Sequence, residues 1–170
     1  MNLKWIGAIM IIAGCGGVGF NMALHHKKEE SALRQIIRVM DMFCNELEYR
    51  LTPLPELFQL AAKVANGPVS RAFSVTASEL EKQNEPNAAG CMSSALKQIN
   101  DLPGKAAFAL TDISRSLGEY DLSGQLQGIR AARESCQRQL NELESNRTQR
   151  LRSYQTLGLC AGAALAILFL

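Results

Sequence analysis

The sequence predicts an all-α protein, an antiparallel bundle of about six helices with a transmembrane helix at each end. Three observations predict it. Uncharged apolar runs occupy residues 5–24 and 153–170, and each can cross a hydrocarbon core of roughly 30 Å at about 1.5 Å per residue. Between them, apolar residues recur at steps of three and four, the period of one helix face. No stretch alternates apolar and polar residues over the length of a strand.

The first run belongs to a predicted membrane segment, residues 1–25, with a short outer N-terminus. Ala13 and Gly17 form a small-xxx-small pair there, the spacing that lets membrane helices approach closely. His25, His26, Lys27 and Lys28 follow at once, whereas only Lys4 precedes the run. Lys and Arg gather on the cytoplasmic face, so this helix should run inward. Arg147, Arg150 and Arg152 precede the second run, residues 153–170, in which Gly158, Gly162 and Ala166 repeat a small residue every fourth position. Both ends predict one topology: residues 26–152 in the cytoplasm, both termini across the cell membrane. The glycine-rich spans can pack on each other or join copies into a homo-oligomer, with lipid as their other neighbour. The rival reading is a cleaved signal peptide, or a lipid anchor at Cys15 in Ile12-Ala13-Gly14-Cys15. Against it, the apolar run continues to Leu24 and is closed by lysines.

In the middle, Leu33, Ile37, Met40, Cys44, Leu47 and Leu51 follow one helical stripe. Thr52-Pro53-Leu54-Pro55 cannot continue it, because proline lacks an N–H and restricts the residue before it. A second helix can start here, with Thr52 as N-cap and Glu56 facing the positive end of the helix dipole. Leu57, Ala61 and Val64, with Phe58 beside them, give its apolar face, so a helical hairpin is predicted. Gly67-Pro68 ends it. Ala72, Phe73, Thr76, Ala77 and Leu80 mark the next helix, and residues 82–87 a polar loop. Ala88, Cys91, Met92, Ala95, Leu96 and Ile99 follow, stopped by Pro103-Gly104. Ala106, Ala109, Leu110, Ile113 and Leu117 make another helix, ended by Gly118. The last starts near Leu122 on the stripe Leu122, Leu126, Ile129, Arg133, Cys136, Leu140 and Leu143. It should pack against the helix of residues 30–51 and run unbroken into the second apolar run.

Several chemistries are disfavoured. A net charge of +2 gives no electrostatic case for nucleic-acid binding. The five cysteines form no C-x-x-C pair and read as small buried hydrophobes. Neighbouring His25 and His26 do not share a helix face, so they make a poor metal site. No glycine-rich loop precedes a lysine in the manner of a phosphate cradle. Asp112, Glu119 and Asp121 could be an acid pair, but hydrogen bonding at the Gly118 turn, with Asp121 or Ser123 capping the last helix, accounts for them. No catalytic, cofactor or metal site is predicted, and the chain reads as a non-enzyme.

Two motifs then carry a resemblance: Glu46-x-x-Tyr49-x-x-Thr52-Pro53-Leu54-Pro55-Glu56 and Leu117-Gly118-x-x-Asp121-x-x-x-Gln125. With the glycine-rich first span and a last run opening near Leu157-Gly158, they resemble the stage III sporulation protein AB family of endospore-forming bacteria, over nearly the whole chain. Met92 departs from that pattern, which carries an aromatic there. The family looks like the cytoplasmic domains of the inner-membrane platform protein F of type II secretion and type IV pilus systems. The resemblance implies a structural subunit of a complex between mother cell and forespore, beside a secretion-type ATPase (stage III sporulation protein AA-like). The domain would then lie in the mother-cell cytoplasm. Glu46, Glu48, Arg50 and Glu56, off the Leu47 stripe and so expected in solvent, are the candidate partner-binding residues, with Asp121 and Gln125 of the second motif. A membrane-anchored regulator or adaptor, binding a cytoplasmic signalling protein, is the alternative.

Overall fold

Proline, glycine and side-chain caps divide the middle of the chain. The computed structural model describes residues 27–82, 85, 87–118 and 120–169, with side chains as far as residue 145. Among the described residues there are six helices and no strand. They are α1 (27–49), α2 (Leu54–Val64), α3 (Gly67–Lys82), α4 (Ala88–Lys97), α5 (Gly104–Ser116) and α6 (Leu122–Phe169). Successive helices pack on one another in up-and-down order, as short connections require. The end where α1 begins is called the near end below. The α1–α2 corner and the α5–α6 turn lie at the far end.

Helix α1 is the centre of the core. Leu33, Ile36, Val39, Met40 and Phe43 are fully buried along it. Phe43 packs edge-on against Phe58 of α2 and Phe73 of α3, with ring centroids 5.7 and 6.0 Å apart. Such edge-to-face pairs add to the area that each ring removes from water. Another side of α1 faces α6. Arg34 bonds Glu144 at 2.5 Å, Asp41 accepts from Arg133 at 2.5 Å, and Glu48 lies 3.6 Å from Arg130. As the α1 numbers rise the α6 numbers fall, so the two helices run antiparallel. Arg133, an interruption of the apolar stripe, is thus a register pin. Ile129, Cys136 and Leu140 of that stripe are buried, while Leu122 is exposed.

The structure corrects three expectations. Leu51 does not continue the α1 stripe: the helix stops at residue 49, and Leu51 takes φ 52 with two thirds of its surface in solvent. Thr52 does not cap α2. Its hydroxyl turns back to donate to Glu46 Oε2 at 2.8 Å, and the N-cap position falls to Pro53, which has no side chain for the task. Val64 leaves the α2 face for solvent, and Ala65 is buried in its place.

Other breaks fall close to their signals. Gly67, at φ +60, begins α3 with Pro68 in its first turn. Asn87 caps α4 by accepting from the Gly90 N–H at 2.8 Å. Gly118, at φ +88, follows the end of α5. A Cβ on Gly128 would lie 2.7 Å from Ser116 Cβ, so glycine is what lets α6 approach α5. Helix α6 continues unbroken through Gly158, Gly162 and Ala166. Among the described residues no helix is long and apolar enough to cross a membrane. Residues 5–24, with Ala13 and Gly17, and Leu170 of the second run lie outside the described residues.

Candidate functional site

The two motifs meet at the far end. Gly118 abuts Leu54: a Cβ built on the glycine would sit 3.2 Å from Leu54 Cδ1. Leu117 is fully buried beside it, which anchors the second motif on the core. Each motif also closes its own loop. In the first, the Glu46 carbonyl accepts from Arg50 N at 3.0 Å, and its carboxylate pairs with Arg50 at 3.4 Å as well as accepting from Thr52. In the second, Asp121 caps α6 by accepting from the Gly124 N–H at 3.0 Å and the Ser123 hydroxyl at 2.8 Å. Those two bonds, the hydroxyl's first, hold its carboxyl below the usual carboxylate range. The Gln125 amide donates to the Tyr120 carbonyl at 2.8 Å and so fastens the turn.

These bonds sort the candidate residues. Glu46 is not solvated as expected: its side chain is only 16% exposed and belongs to the corner. Asp121 and Gln125 are spent on capping and loop closure. Glu48, Arg50 and Glu56 remain on the surface. Glu119 lies outside the described residues, and with it the acid-pair alternative.

Sequence reasoning missed the apolar surface around this site. Tyr49 is 79% exposed, Leu51 67%, Tyr120 61% and Leu122 39%. All four belong to the two junctions. Each flanks a chain break where the helical pattern stops (Pro53 for one pair, Gly118 for the other), and that was the available signal.

Nucleophilic chemistry has little footing among the described residues. Burial raises the Cys44 and Cys91 thiols, and with Asp112 nearby it pushes Cys136 up to about 11, so all three are protonated at neutral pH. No group of three or more His, Cys, Asp or Glu among the described residues could hold a metal ion.

These features first define a class, a small all-α bundle with two loop motifs joined at one end and, among the described residues, no thiolate poised to react. The chain belongs to the stage III sporulation protein AB family, whose model matches residues 4–170. It is similar to the stage III sporulation protein AB of Bacillus subtilis (strain 168), with 26% identity over 171 residues that cover 99% of each chain. A solved structure of a stage III sporulation protein AB aligns with a TM-score of 0.63 at 25% identity, over 72% of this chain and 98% of that one. The all-helical fold and a place in sporulation follow from this membership.

Proposed function

We propose that this chain is a structural platform subunit of a secretion-like transenvelope complex, held in the cell membrane by both apolar runs and docking a cytoplasmic secretion-type ATPase at its far end. One observation carries the reading: Tyr49, Leu51, Tyr120 and Leu122 are exposed where the two motifs join. Large apolar side chains gathered outside a complete core mark an interaction surface. Tyrosines suit such a surface because they bring contact area together with a polar tip. Glu48, Arg50 and Glu56 on the same surface would steer encounter and partner choice rather than hold the fold. The lysines and arginines beside the apolar runs favour a topology in which the far end points away from the membrane, toward a soluble partner.

The test is co-purification of the ATPase with the tagged full-length chain. Glu48→Lys with Glu56→Lys should leave the melting temperature nearly unchanged, since the exposed Glu48–Arg130 pair is worth about 0–1 kcal/mol. ATPase recovery should fall, and fall further with Tyr49→Ser and Tyr120→Ser. Undiminished recovery from the fourfold variant would move the docking surface elsewhere. Topology is tested separately. A membrane-impermeant thiol reagent should label a cysteine appended after Leu170, but not Glu85→Cys, in intact cells. External labelling of Glu85→Cys would reverse the orientation.

A further inference from the structure

We infer that the near end of the bundle holds the phosphate-bearing headgroup of an anionic phospholipid, in a cleft between the start of α1, the α2–α3 turn and the loop before α5. The cleft measures about 500 Å³, within the range of small-ligand sites. Ala32, Val69 and Leu102 give it an apolar wall, and the exposed Lys27 and Lys28 are among its lining residues, two positive charges at its mouth. Asp101 is the one acid among its described lining residues, and it is already engaged. Both of its carboxylate oxygens accept from Arg71, at 2.7 and 2.5 Å. The lysine charges are therefore not matched from within the cleft.

Its polar side is oriented toward an acceptor. The backbone N–H of Asn66 can only donate, and it donates to Gln35 Oε1 at 2.7 Å. That contact fixes the amide, so Gln35 Nε2 faces Ser31 and donates to its Oγ at 3.4 Å. Since the Ser31 oxygen accepts there, its own hydroxyl proton is left to donate. Each bond polarises the next in the same sense. A donor chain ending beside two ammonium groups suits the oxygens of an anion.

The lipid source rests on the membrane-anchored reading above. Lys27 follows Leu24, the end of the first apolar run, by three positions, so the cleft would lie at the bilayer surface. Lipid phosphates are the concentrated anions there, and basic residues beside a membrane are drawn to them. A free phosphate offers the same oxygens but no glycerol backbone for the apolar wall.

The test uses the full chain in a neutral detergent, titrated with short-chain phosphatidylglycerol, short-chain phosphatidylcholine or inorganic phosphate, with bound molecules counted by native mass spectrometry. Phosphatidylglycerol should bind about twenty-five-fold more tightly than phosphatidylcholine, since each of the two lysines near an anionic lipid is worth about a factor of five. Lys27→Gln with Lys28→Gln should abolish the preference. Leu102→Trp, which fills the cleft and keeps both lysines, should abolish it too. Lys63→Gln with Lys97→Gln, which removes two exposed charges outside the cleft, should leave it intact. Equal binding of the two lipids overturns the inference. So does an equal loss in the Lys63/Lys97 variant, or a preference that survives Leu102→Trp. If inorganic phosphate displaces phosphatidylglycerol at matched concentration, the ligand is a soluble phosphate compound and the lipid assignment falls. Alkaline carbonate extraction of native membranes separates the two readings. A released chain defeats membrane anchoring, whereas a retained chain with no lipid preference defeats this inference alone.

Discussion

At the far end of the bundle the loops are closed by their own side chains; at the near end the polar groups face a cleft. Glu46, Thr52, Asp121 and Gln125 satisfy backbone and hydroxyl groups within the two far junctions, and Gly118 presses on Leu54. The tyrosines and leucines around them turn outward, with the core already filled beneath. Near Lys27 the Gln35–Asn66 bond ties α1 to the α2–α3 turn but leaves open space beside it, and Gly67 has no atom within 4 Å of a Cβ site. The difference teaches that exposure has two meanings in one small domain. Apolar exposure on a tightly bonded frame suits a protein partner, which needs a fixed shape. Polar exposure around a void suits a small ligand, which fills it.

The most disruptive way to break this comparison is to put a charge under each end. Leu57 is fully buried below the far corner, so Leu57→Asp should cost several kcal/mol, about the whole stability of a marginal domain. Leu102, half-buried at the cleft, should tolerate Leu102→Asp with a small change. Thermal melting of residues 26–152 followed by circular dichroism compares them, and equal losses would mean that the near end is as closed as the far one. The two left-handed glycines test the contrast more gently. Gly67→Ala adds only backbone strain of about 1–2 kcal/mol, whereas Gly118→Ala adds the same strain and a contact with Leu54. Gly118→Ala should therefore lower the denaturation midpoint more, and the reverse order would refute the tight junction.

The smallest effect concerns pH. The Asp121 carboxyl sits below its ordinary 3.8 in the folded chain, so its contribution is present above that value and is lost as pH falls through the lower, folded one. Asp121→Ala should melt earlier than the parent chain at pH 7, and the gap should narrow below pH 3.8. A gap that stays constant would mean that ionisation of the cap is irrelevant.

Much of the fold was legible because punctuation is local. Pro53, Gly67-Pro68, Pro103-Gly104 and Gly118 act on neighbouring dihedral angles, and helices end or begin beside each of them. What was illegible came from distance. Ile36, Val39 and Phe43 were passed over because a single stripe describes a helix packed on one side, and α1 meets α2, α3 and α6. Arg133 breaks the apolar stripe of α6 because Asp41 of α1, 92 residues away in the chain, lies opposite it. Leu51 fitted the stripe by counting, but two residues before a proline the chain had already turned. The meeting of Leu54 with Gly118 leaves no periodic trace, so the sequence could name both motifs without joining them. Glu46 was misjudged for a related reason, since facing away from a core stripe does not stop a carboxylate from folding back onto its own corner.

Helix α6 has a mechanical consequence. Its 48 residues at about 1.5 Å each make a shaft about 72 Å long, capped by Asp121 at one end. No proline interrupts it, and proline is the commonest cause of a sharp bend. A shaft without a joint moves as one piece. With Ile129, Cys136 and Leu140 buried and Arg133 pinned to Asp41, a push along its axis at the far junction would be carried to the opposite end rather than taken up as rotation.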